Sequence, residues 1–269
     1  MKTQGNTILV TGGGSGIGRA LAQRWHDLGN QVIVAGRRQA ALDETIAGRG
    51  GMFAYTLDID DQLAIEEFAE ALVSRHPDLN VLVNNAGIMR YEDASARRDL
   101  ADAQEMITTN LLGPIRLTNA LVDHLAGQQN AAIINVTSGL AFVPWQRTPT
   151  YSATKAALHS YTQALRQSLK GKVEVIELAP PAVQTELTPG QSTRDGYLPL
   201  DEFADEAMRL WQQQPTPVEI NVERVQFLRY AQLRNRHVDA AQRQEQEHRK
   251  MLTPKGVAGR DLNLNSHGA

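Results

Sequence analysis

Short apolar runs alternate along the chain with longer stretches in which apolar positions recur at helical spacing. The runs cover residues 7–11, 31–35, 52–57, 79–83, 131–137, 173–178 and 217–221. Between them, helical periodicity covers 19–28, 62–75, 99–125 and the segment that carries Tyr151 and Lys155. Strands alternating with helices predict a parallel, doubly wound sheet. In such sheets the ligand lies outside the carboxyl ends of the strands. The residues that end each run are therefore the first place to look for chemistry.

The first run stops at Gly12-Gly13-Gly14-Ser15-Gly16-Ile17-Gly18 and a helix follows. Glycines between a buried strand and a helix let a pyrophosphate approach the amides at the helix N-terminus, where the dipole favours negative charge. The second run ends in Gly36-Arg37-Arg38. An acidic residue about 20 positions past the glycine loop would hold a ribose 2'-hydroxyl; arginine there suits a 2'-phosphate, with Arg37 the stronger candidate. Asp58 and Asn84-Asn85-Ala86-Gly87 end the third and fourth runs. Asp58 also reads as an ordinary cap for the helix after it. Within the helix over 99–125, Pro114 lacks the N–H that would bond the carbonyl of Asn110, which predicts a kink and a carbonyl free to hold water. The fifth run leads into Ser138. Tyr151 and Lys155 stand four apart, on one helix face, where a lysine charge would lower the phenol's pKa from its ordinary value near ~10 and make it a general acid or base.

Composition narrows the field. A chain of 269 residues with 42% hydrophobic content can bury one large core, and one α/β domain is expected. The formal net charge of −3 gives no basic excess, so neither nucleic acid nor a membrane is an expected partner. The absence of cysteine excludes disulfides and thiolate metal sites and fits a reducing compartment; no metal is expected. The polar start, with no apolar run near the length of a membrane span, makes a cytoplasmic protein the expectation.

Thr11-Gly12-x-x-x-Gly16-x-Gly18, Asp58, Asn84-Asn85-Ala86-Gly87, Asn110, Ser138, and Tyr151 with Lys155 together resemble the short-chain dehydrogenase/reductase family, in order and spacing, over roughly residues 5–230. The runs 136–142 and 173–177 look most like its DltE-like oxidoreductase subgroup. The resemblance implies a single-domain, Rossmann-like doubly wound sheet of about seven strands within a domain over 1–234. It implies hydride transfer between a nicotinamide and a small-molecule carbonyl or alcohol. NADP(H) is the expected cofactor and NAD(H) the alternative. Tyr151 would exchange the proton, Lys155 would bind the nicotinamide ribose and depress the Tyr151 pKa, Ser138 would hold the reacting oxygen, and the main chain of Asn110 would position a relay water. Gly12, Gly16 and Gly18, with Gly14, Ser15 and Ile17 of the same loop, would cradle the pyrophosphate. Arg37 and Arg38 would meet the 2'-phosphate, Asp58 and Ile59 the adenine, Asn85, Ala86 and Gly87 the adenosine ribose side, and Pro181, Val183 and Thr185 the nicotinamide end.

Two departures qualify that picture. Pro181-Ala182 stands where many relatives have Pro-Gly, and alanine lacks glycine's conformational range. The last strand is short, and a charged helical stretch over 223–250 replaces the usual finish, which favours a homodimer through the Asn110 and Tyr151 helices, with a tetramer as the alternative. Residues 235–269 read as an exposed charged helix followed by disorder. Ile88, Met89, Leu140, Phe142, Val143, Pro144 and Trp145, with a flexible polar flap over 186–200, predict a pocket for an apolar or amphipathic carbonyl compound; Arg147 beside it would suit an anionic one. Two other readings stand against this one. A non-catalytic NADP(H)-sensing protein would have no need of a proton donor at Tyr151. An epimerase or dehydratase of the nucleotide-sugar type would need a further domain for which the chain has no room.

Overall fold

A computed structural model describes residues 2–231. The expected tail over 235–269, and the expected helix beyond 231, lie outside the described residues. Seven strands form one all-parallel sheet: β1 (Thr7–Thr11), β2 (Gln31–Gly36), β3 (Met52–Thr56), β4 (Leu79–Asn84), β5 (Ala132–Val136), β6 (Glu174–Leu178) and β7 (Glu219–Ile220), in the spatial order β3-β2-β1-β4-β5-β6-β7. Strand order reverses between β1 and β4, the switch point at whose carboxyl side sheets of this kind bind their ligands.

Alternation along the strands explains the two-sided core. Ile8, Val10, Val32, Val34, Val81, Val83 and Ile134 face the cluster that includes Trp25 of α1 (Gly16–Asp27) and Phe203 and Trp211 of α7 (Leu200–Trp211). Their neighbours Leu9, Ile33, Leu82 and Ile133 face Ile65 of α3 (Gln62–Arg75) and Leu117 and Leu121 of α5 (Gly113–Ala126). Successive side chains of a strand point to opposite faces, so both faces must be covered by helices. The remaining helices are α2 (Gln39–Ile46), α4 (Ala101–Ile107), α6 (Pro149–Ser168) and α8 (Glu223–Arg229). No helix among the described residues is long and apolar enough to cross a membrane.

Two segments differ from the expectation. The helix over 99–125 is divided by a π-turn at Thr108–Leu112, with Gly113 N–H bonded back to the Thr108 carbonyl. The wider turn takes up the missing donor of Pro114 by adding a residue to the helix circuit, and Asn110 sits within it. Residues 186–200, expected as a polar flap, are hydrogen-bonded back to the segment before them and bury part of their polar side chains. Val183 bridges Leu198, the Leu198 N–H donates to the Ala182 carbonyl at 2.9 Å, and the buried Gln191 side chain donates to the Val183 carbonyl at 2.8 Å. Helix α7, absent from the elements read off the sequence although Phe203, Ala204, Ala207, Met208 and Trp211 recur at helical spacing, follows directly. Its apolar face packs on α1, with the Trp25 and Trp211 rings edge-on at 5.5 Å.

Candidate active site

The carboxyl ends of β1, β2, β4 and β5 open into one cleft of about 420 Å³. At its floor, Gly12 adopts a left-handed conformation (φ +65°), and a Cβ there would lie 2.9 Å from the Ala86 backbone. Only glycine therefore lets the loop pass under the β4 end. Thr11 ties the two loops together, since its hydroxyl accepts from the amides of Asn85 and Ala86 at 3.0 and 3.1 Å. The Asn85 side chain donates to the Thr11 carbonyl at 2.9 Å, so it braces the glycine loop as well as lining the cleft. Arg19, which sequence reasoning did not single out, clamps the same loop by donating to the Gly14 carbonyl at 2.6 Å and pairing with Glu44 at 3.0 Å.

Gly12, Gly14, Ser15, Gly16 and Ile17 line the cleft, as do Arg37, Arg38, Ile59, Asn85, Ala86, Gly87, Pro181, Val183 and Thr185. Arg37 and Arg38 are exposed and make no ion pair among the described residues. Gly18, Asp58 and Asn110 are not among the residues that line the cleft. Gly18 sits behind the loop, where a Cβ would be 2.4 Å from both the Gly12 carbonyl oxygen and Asn85 Nδ2, so its role in the structure is close packing. Asp58 is exposed and accepts the Asp60 amide at 3.1 Å; the cap of α3 is Asp61, not Asp58. Asn110 is fully buried. Its side chain exchanges two hydrogen bonds with the main chain of Ile88, at 2.8 and 2.9 Å, and reaches Thr154 at 3.3 Å. It staples the loop after β4 to the helices beneath.

Ser138, Tyr151 and Lys155 meet at the inner end of the cleft. Ser138 follows β5, and its hydroxyl accepts the Leu140 amide at 3.1 Å and hydrogen-bonds with Tyr151. Tyr151 and Lys155, one turn apart on α6, are both buried. The Lys155 ammonium donates to the Val136 carbonyl at 2.9 Å and lies 5.7 Å from the centre of the Tyr151 ring. The expected depression of the Tyr151 pKa is not what this arrangement produces. Burial pushes the phenol up to about 12, against the lowering effect of the Ser138 hydrogen bond. Burial likewise pulls Lys155 down to about 8. Loss of water around two buried groups outweighs their mutual attraction at this separation.

The segment Pro181-Ala182 turns without any left-handed residue, so alanine is accommodated there without strain. Beyond Tyr151 the wall is apolar. Met89, Leu140 and Trp145 form a small cluster with Tyr151, against which Ile88 and Leu187 pack. At the rim, the Arg147 guanidinium stacks 4.9 Å over the Tyr91 ring, while Arg194 donates to the Tyr91 hydroxyl at 3.1 Å and lowers its pKa despite partial burial. Leu187 and Gln191, from the segment 186–200 expected beside the pocket, also line the cleft, as do Thr109 and Thr137, which the sequence reading did not single out.

Residues 6–195 match the family described as short chain dehydrogenase. The chain is 44% identical over 197 residues to the oxidoreductase DltE of Bacillus subtilis, covering 72% of this chain and 77% of that protein. It is 36% identical over 184 residues to a serine 3-dehydrogenase of Agrobacterium fabrum, covering 68% and 74%. The solved structure of a short chain dehydrogenase from Burkholderia cenocepacia in complex with NADP superposes with a TM-score of 0.74 at 25% identity, covering 94% of this chain and all of that one.

Proposed function

Because the chain belongs to the short-chain dehydrogenase family, and is thereby a NAD(P)-dependent oxidoreductase, we propose that it interconverts a carbonyl and an alcohol, with NADP(H) preferred and Tyr151 as general acid and base. One observation carries this reading. A glycine-lined helix N-terminus, two exposed arginines, and the set Ser138, Tyr151 and Lys155 all open into the same cleft. The glycine floor and the N-terminus of α1 fit a pyrophosphate, and Arg37 with Arg38 fits a 2'-phosphate. When bound, the nicotinamide supplies or accepts the hydride.

The chain's own residues handle the proton. With a pKa of about 12, the Tyr151 phenol holds its proton at neutral pH and is ready to give it to a carbonyl oxygen during reduction. Ser138 donates to the same oxygen as negative charge grows on it. Lys155, with a pKa of about 8, is still mostly charged at pH 7 and attracts the phenolate as it forms. Ile88, Leu187 and the cluster behind them accept the apolar part of the substrate. The exposed apolar residues Leu100, Ile107 and Leu112, on and beside α4, support pairing of two copies through the Asn110 and Tyr151 helices.

Thermal unfolding with NADPH, NADH or neither, at matched concentration, tests the cofactor assignment. A ligand at a hundred times its Kd stabilises the native state by about 2.7 kcal/mol. The larger shift is expected with NADPH, and Arg37→Ala should narrow the gap between the two cofactors. A larger shift with NADH would refute the 2'-phosphate site, and no shift with either would refute the oxidoreductase site itself.

A further inference from the structure

Behind Ser138, on the side away from the cleft, the structure holds a carboxylate that the proposed reaction does not use. Glu177 on β6 is 1% exposed. One oxygen accepts the Thr137 hydroxyl at 2.6 Å and the other pairs with His159 Nδ1 at 2.7 Å. A carboxylate so buried is tolerated only when it is hydrogen-bonded, and these two short bonds give each oxygen a partner. The other charges near it are the Arg229 guanidinium from α8, which lies 5.0 Å over the Phe142 ring, and Glu219 of β7, which Arg229 grips at 2.7 and 2.9 Å. The edge of Phe142 in turn meets the His159 ring at 5.2 Å.

Thr137 stands between the two groups that set the geometry of Tyr151. Before it is Val136, whose carbonyl receives the Lys155 ammonium; after it is Ser138, hydrogen-bonded with Tyr151. The Thr137 amide is also bonded, to the Leu178 carbonyl at 2.8 Å. On the other side of Ser138, Gly139 is pressed so closely by α8 that a Cβ would lie 2.6 Å from Leu228 and 2.9 Å from Val225. The turn that carries Ser138 is thus held at both flanks, by a charge-assisted hydrogen bond before it and by tight apolar packing after it.

We propose that Glu177, oriented by His159, is a positioning residue that acts through Thr137 to fix Ser138 and the Val136 carbonyl against Tyr151 and Lys155. The proposal rests on the oxidoreductase reading above. It makes Thr137→Val the informative substitution, because it removes the hydroxyl at nearly constant volume and keeps the backbone bond from the Thr137 amide to Leu178. Removing a preorganised donor costs roughly a hundredfold or more in kcat, so a donor merely displaced should cost about tenfold. The test measures kcat and KM of the wild type, Thr137→Val, Thr137→Ser and Glu177→Gln on the best substrate of a panel of aldehydes and ketones, with NADPH affinity followed separately by fluorescence.

Thr137→Val is expected to lose kcat about tenfold with the KM for the carbonyl substrate nearly unchanged, as a displaced donor would give and a loosened binding site would not. Thr137→Ser should restore kcat. Glu177→Gln, which keeps an acceptor for Thr137 but loses the charge, should fall between. A Thr137→Val protein that matches the wild type in kcat overturns the role of Glu177 and leaves the enzymatic reading standing. A wild type that binds NADPH and turns over no carbonyl in the panel overturns that reading and this role with it.

Discussion

Replacing Lys155 with methionine tests whether its ammonium is held in the fold at a cost. The group is 4% exposed, and burial lowers its pKa from 10.5 to about 8. A base whose pKa is lower in the folded than in the unfolded state contributes stability that is present above the unfolded value and is lost as pH falls through the folded value. For Lys155 that window runs from 10.5 down to about 8. At pH 7 the group is protonated in both states and the whole penalty applies: the difference of about 2.5 units is worth about 3 kcal/mol. By pH 10 most of it has gone. The stability of the wild type relative to Lys155→Met should therefore rise by about 2 kcal/mol between pH 7 and pH 10.

The variant also leaves the Val136 carbonyl without the donor now at 2.9 Å, a loss of roughly 1–3 kcal/mol. That loss is nearly the same at every pH, so it moves the two curves together or apart without changing the slope of their difference. Where it lies between the penalties at the two ends, about 3 kcal/mol at pH 7 and about 1 kcal/mol at pH 10, Lys155→Met is the more stable protein at pH 7 and the less stable one at pH 10. Urea unfolding followed by tryptophan fluorescence at four pH values measures the difference directly. A difference that stayed flat from pH 7 to pH 10 would show that the folded protein compensates the ammonium fully, and the argument that burial dominates both Lys155 and Tyr151 would fail.

Gly18→Ala should destabilise the protein by about 1–3 kcal/mol, since the added methyl would lie 2.4 Å from the Gly12 carbonyl oxygen and from Asn85 Nδ2. Gly50→Ala, where nothing lies within 4 Å, serves as the control and should stay within about 0.5 kcal/mol of the wild type; both are read from chemical denaturation. Trp211→Ala removes the ring that meets Trp25 edge-on and should cost about 3–5 kcal/mol, visible as a lowered midpoint. Equal midpoints would mean that α7 docks without that pair.

How far the sequence discloses this molecule depends on the range of the interactions concerned. Local signals place the strands well, because consecutive apolar residues such as Ile8-Leu9-Val10 have no other use in a chain of this kind than burial on both faces. They also mark the strand ends, where Gly12, Arg37, Asn85, Ser138 and Thr185 gather around the cleft. The π-turn shows where local rules stop. Pro114 announces an interruption, but whether the helix kinks or takes up an extra residue depends on what packs around Asn110, and those partners, Ile88 and Thr154, lie 22 and 44 residues away. Tyr151 and Lys155 show the same limit in electrostatics. Their spacing fixes the face they share, while burial by distant segments fixes which way each pKa moves. Glu177 was legible only as one more residue of a strand. Its partners Thr137 and His159 come from two other elements, so no periodicity could have linked them. Helix α7 was legible, since Phe203, Ala204, Ala207, Met208 and Trp211 recur at helical spacing; it was passed over rather than hidden.

The central claim, that Tyr151 transfers the proton, is tested most directly by Tyr151→Phe. Turnover of the best carbonyl substrate and NADPH affinity should be measured on the same preparation. The account predicts NADPH binding close to that of the wild type and a loss in kcat of about 10²–10⁴-fold, the size of a general acid's contribution. Unchanged turnover with NADPH bound would contradict it.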